Sequence, residues 1–130
     1  MLFDYDITIP PGTLQLSPVE QIIKLTYGTV SEIRVFFPPG CATLAHVVVR
    51  KNLLQLLPAN QQGSLNFDDI FVISRLEYDL VDSPFEMSIF GWSPSAVYQH
   101  IVTVQFEMIP LVGQSWSSFT QSVMELQNAG

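Results

Sequence analysis

The feature that most limits the fold of this chain is a strict alternation of apolar and polar residues, broken at intervals of about 8–12 residues by turn residues. In residues 3–9, Phe3, Tyr5, Ile7 and Ile9 alternate with Asp4, Asp6 and Thr8. Side chains of a β-strand point to opposite faces in turn, so this pattern buries one face and wets the other. The strand must stop at Pro10-Pro11-Gly12, because proline has no N–H to give to a ladder.

The same pattern recurs along the chain. Residues 21–27 align Ile23, Leu25 and Tyr27, and Gly28-Thr29 leads into a strand at 31–37. There Ile33, Val35 and Phe37 face inward while Glu32 and Arg34 face out, and Pro38-Pro39-Gly40 ends the strand. Residues 44–50 are almost continuously apolar and β-branched, as in a central strand covered on both faces. A strand at 53–57 follows, then a loop at 58–64. Residues 68–73 fit either a strand or one helical turn, whereas 75–80 and 85–90 alternate again. A loop at 91–97 leads to the longest expected strand, 98–109, with Val102, Val104, Phe106 and Met108 on one face. About eight such strands make an all-β domain of two packed antiparallel sheets over residues 1–110. Ile33, Val35, Val47, Val49, Val104 and Phe106 are the expected core.

Residues 111–130 follow a different rule. After a linker at 111–114, Ser115 fits a helix N-cap. Trp116, Phe119, Val123 and Leu126 then recur on one helical stripe. The stripe has three destinations: its own sandwich, a neighbouring subunit, or solvent as a frayed tail.

At 130 residues the chain has the length of one domain. Charged residues are 13% of it, against about 25% in an average globular protein. Five Lys and Arg against twelve Asp and Glu give a net charge of −7. So few cations cannot neutralise a phosphate backbone, and an anionic bilayer repels an acidic protein. Neither nucleic acid nor a membrane is therefore an expected partner. Cys41 stands alone, so no disulfide forms within the chain. The N-terminal residues lack the basic and apolar regions of a signal peptide, and no apolar stretch is long enough to span a bilayer. A protein made in a reducing cytoplasm is expected.

Motifs of catalysis are missing. There is no nucleophile elbow and no glycine-rich phosphate loop. Cys41 and His46 lie close in sequence, but a reactive pair also needs an electropositive site. His46 and His100 have no ligand at metal-binding spacing and read as sheet histidines, unlike the clustered histidines of cupins. Asp68-Asp69 and Asp79 with Asp82 lack calcium-loop spacing and read as turn caps. The expected protein has no catalytic residue, no metal and no cofactor.

The aromatics say more. Phe36 and Phe90 break phase with the core positions, and Trp92 falls in the expected loop. A shortage of charge together with such rings points to surface covered by another subunit. Phe36, Phe90, Trp92, Trp116, Phe119, Val123 and Leu126 are the candidate interface residues. The alternative is a carbohydrate-binding module that stacks sugars on open faces of Phe90 or Trp92.

With its strand number, its two Pro-Pro-Gly corners, its apolar excess and its acidity, the region 3–110 resembles small single-domain β-sandwich proteins of bacteriophage virions. That resemblance implies a jelly-roll-like fold and a capsid, decoration or tail-associated role. It further implies a virion location, a symmetric homo-oligomer and contacts with other virion proteins.

Overall fold

The computed structural model describes residues 1–111. Eight strands form in order: β1 (Leu2–Ile9), β2 (Val19–Lys24), β3 (Gly28–Phe37), β4 (His46–Lys51), β5 (Leu54–Leu57), β6 (Ile70–Leu80), β7 (Glu86–Trp92) and β8 (His100–Ile109). They build two four-stranded antiparallel sheets, β1-β8-β3-β6 and β2-β7-β4-β5. The pairing is nested. β4 pairs with β5, β3 with β6, β2 with β7 and β1 with β8, as in one long hairpin rolled into two layers. Additional pairing of β8 with β3 and of β7 with β4 completes the sheets. This is the jelly-roll arrangement.

Alternation decides which face each residue takes. Ile7, Ile9, Ile33, Val35, Val102, Val104 and Phe106 project from the first sheet onto Ile23, Val47, Val49, Met87 and Ile89 of the second. All six expected core residues are fully buried. Val48 is buried too, on the opposite face of β4, so both faces of this strand are covered, as its apolar run implies.

Several boundaries differ from the sequence pattern: β3 begins at Gly28, within the expected connection, and β8 begins at His100 and not at 98. The strand expected at 21–27 is β2, Val19–Lys24, and Tyr27 is exposed, edge-on to Phe85. Asp68 and Asp69 lie in a turn, and the ambiguous residues that follow continue into β6. β6, with 11 residues, is therefore longer than β8 with 10. Gly91 and Trp92 belong to β7 and not to a loop. Gly91 faces the core, where Ile9 fills the place a side chain would take. Trp92 pairs with His46. The C-terminal helix expected after Ser115 lies outside the described residues.

Candidate functional site

The outward positions of the two sheets form two separate surfaces. On the first sheet, Phe36 of β3 is opposite Phe71 of β6 on one side and Thr103 of β8 on the other. The Phe36 and Phe71 rings pack with centroids 4.7 Å apart. Two residues along on the same faces are Ile73 and Ile101. Phe71 is 50%, Ile73 54% and Ile101 45% exposed, making an apolar band at one end of this face. The band is bordered by charge: Arg34, directly opposite Ile73, and Arg75 both pair with Glu32, and farther along the Thr29 hydroxyl donates to Asp79 at 2.8 Å. Of the four residues in the band, the alternation pattern singles out only Phe36. Phe71 and Ile73 lie in the stretch 68–73, which is apolar in both phases and so hides its own orientation.

The outer face of the second sheet carries Phe90 and Trp92. Trp92 lies parallel to the His46 imidazole, at 3° and 5.6 Å between centroids. Next to it on the same face, the Arg50 guanidinium lies 5.1 Å from the centre of the Phe90 ring. The loop between β1 and β2 reaches over this face. Ser93 fastens the loop by donating its N–H to the Thr13 carbonyl (2.9 Å) and its hydroxyl to that of Pro10 (3.0 Å). Gly12 returns its N–H to the Ser93 carbonyl at 3.1 Å. Gln15, Leu16 and Pro18 are thereby held beside Arg50, Phe90 and Trp92, enclosing a groove of about 400 Å³.

The expected interface residues are thus divided. Phe90 and Trp92 share one groove, and Phe36 sits on the opposite side of the sandwich, so no single flat contact takes in all three. Trp116, Phe119, Val123 and Leu126 lie outside the described residues.

The titratable candidates have structural partners. Asp68 accepts the N–H of Gly40 (3.0 Å) and of Ala42 (2.9 Å), fixing the second Pro-Pro-Gly corner. Cys41 is buried between those two donors. Burial pushes its thiol pKa up, and the Asp68 carboxylate adds to the effect, the reverse of what activates a cysteine nucleophile. His46 Nδ1 shares a hydrogen bond with Ser64 Oγ at 2.9 Å, and burial lowers its pKa. His100 is buried opposite Ile9. Among the described residues, no three His, Cys, Asp or Glu side chains converge as a metal-binding group. No helix there is long and apolar enough to cross a membrane.

No family model and no curated protein matches the chain. Among solved structures it is similar to PirA, with 11% identity and a TM-score of 0.35 over 80% of this chain and 93% of that one.

Proposed function

We propose that the protein is a structural assembly subunit that works by packing against further copies of itself, in the manner of capsid, decoration or tail-associated proteins of phage virions. The supporting observation is the band formed by Phe36, Phe71, Ile73 and Ile101. Phe36 and Phe71 are paired across β3 and β6 with Ile73 next along and Ile101 beyond Thr103 on the same sheet face, and exposed apolar surface of this kind marks a contact with another protein. The two acidic residues of β1 on this face are Asp6, which accepts from the Thr103 hydroxyl at 2.8 Å, and Asp4, which lies two strands from Arg34 in the row of Gln105. Jelly rolls serve in capsids, lectins and cupins alike, so the reading rests on the exposed band and not on the fold. A sugar-binding role calls for an open aromatic face. Here Trp92 is 8% exposed with a face against His46, and Phe90 lies beneath Arg50.

Light scattering at micromolar concentration tests the reading. The full chain is expected to run as an oligomer, and Phe71→Asp with Ile73→Lys is expected to reduce it to a folded monomer. A wild-type chain that remains monomeric at high micromolar concentration would overturn self-association.

A further inference from the structure

The chain has five cationic side chains, and four have acceptors. Lys24 pairs with Glu86 at 2.8 Å, Arg34 and Arg75 with Glu32, and Lys51 donates to the Pro84 carbonyl at 2.9 Å. Arg50 alone makes no hydrogen bond or ion pair among the described residues. The only described partner of its side chain is the Phe90 ring, over which the guanidinium lies 5.1 Å from the ring centre. None of the five N–H donors of the guanidinium therefore has an acceptor among the described residues. Trp92 lines the same groove. It is more than nine-tenths buried, and its indole N–H has no acceptor among the described residues. Buried donors normally have partners, and each one without a partner calls for an explanation.

The geometry points to a binding site for a small carboxylate in this groove. The planar carboxylate matches the edge of the Arg50 fork, and its oxygens are acceptors of the kind that both orphan donors lack. Leu16, Pro18 and Phe90 supply an apolar lining, which suits a ligand whose body is apolar and not hydroxylated. A volume of about 400 Å³ is at the small end for ligand sites and fits a single ring. The site is therefore assigned to a compact aromatic or alicyclic carboxylic acid. It lies on the other sheet from the apolar band and does not depend on the assembly reading.

Benzoate is the probe, followed on the full chain through the indole N–H resonance of Trp92, identified in a Trp116→Phe background. Benzoate is expected to shift that resonance saturably, and neutral benzamide is expected to leave it in place. Arg50→Lys keeps charge and stem but loses the fork, and is expected to weaken binding by roughly tenfold or more. Its urea midpoint is measured alongside to show that the variant is folded. An unmoved Trp92 resonance at tens of millimolar benzoate would overturn the site, as would an equal response to benzamide or full affinity in folded Arg50→Lys. Tighter binding of glucuronate than of benzoate would overturn the assignment to an apolar acid.

Discussion

Gly91 and Ile9 meet across the two sheets so closely that a Cβ on residue 91 would fall 2.7 Å from Ile9 Cδ1 and 2.9 Å from its Cγ1. The missing side chain lets the first sheet settle onto β7 at this point, next to Trp92. Gly91→Ala is expected to lower stability by about 1–3 kcal/mol through overpacking, read from urea unfolding. Gly28→Ala is expected to cost more. Its obstacle at 2.8 Å is the backbone carbonyl of Ile109, and φ there is +148°, which side chains other than glycine seldom adopt.

Phe106 projects from the middle of β8 into the centre of the core and is fully buried. Phe106→Ala is expected to cost about 3–5 kcal/mol, the lost transfer free energy plus the cavity left behind. An unfolding midpoint close to wild type would show that the two sheets close over the gap.

Burial holds the His46 pKa below its ordinary value of 6.5. In the unfolded chain the imidazole takes a proton first as pH falls, so protonation favours the unfolded state. This contribution to stability is complete above about pH 6.5 and is lost as pH falls from there towards the folded-state value. The fall in urea midpoint between pH 7.5 and 5.5 is expected to be smaller in His46→Gln than in wild type.

Asp68 is the acceptor that holds the corner around Cys41, and Ala42 and Thr43 have left-handed backbones there, with φ of 49° and 61°. The native Cys41 thiol is expected to resist a disulfide reagent such as DTNB. Asp68→Ala leaves two solvent-exposed N–H groups without their charged acceptor and is expected to cost about 0.5–1.5 kcal/mol. Cys41 labelling is expected to become faster in that variant under native conditions.

The strands and the core were legible because both depend on a period of two. Ile33, Val35, Val104 and Phe106 are inward by alternation alone, whatever sheet they join. Phe36 and Phe90 show where that information ends. Alternation turns both outward, but only the pairing of β3 with β8 and of β7 with β4 puts them on opposite sides of the molecule. Trp92 was hidden because Gly91 suggests a break in the strand, whereas the small residue answers to Ile9, which is 82 positions away in sequence. Arg50 and Lys51 follow three valines in the sequence, with nothing there to tell the two cations apart. The lack of an acceptor for Arg50 is visible only once the other four cations have found theirs.

The nested pairing also determines when the protein can fold during its own synthesis. β4 and β5 are joined by a short turn and can meet as soon as they leave the ribosome. Leu2 must wait for Glu107, its partner in β8. Since β8 lies between β1 and β3, the first sheet has no middle until nearly all of the described residues have emerged. During that interval β1 and β3 expose unpaired edges to other nascent chains. A slow rate of translation therefore prolongs exposure without completing the fold, and soluble yield is expected to respond more to chaperones and low temperature than to slower codons.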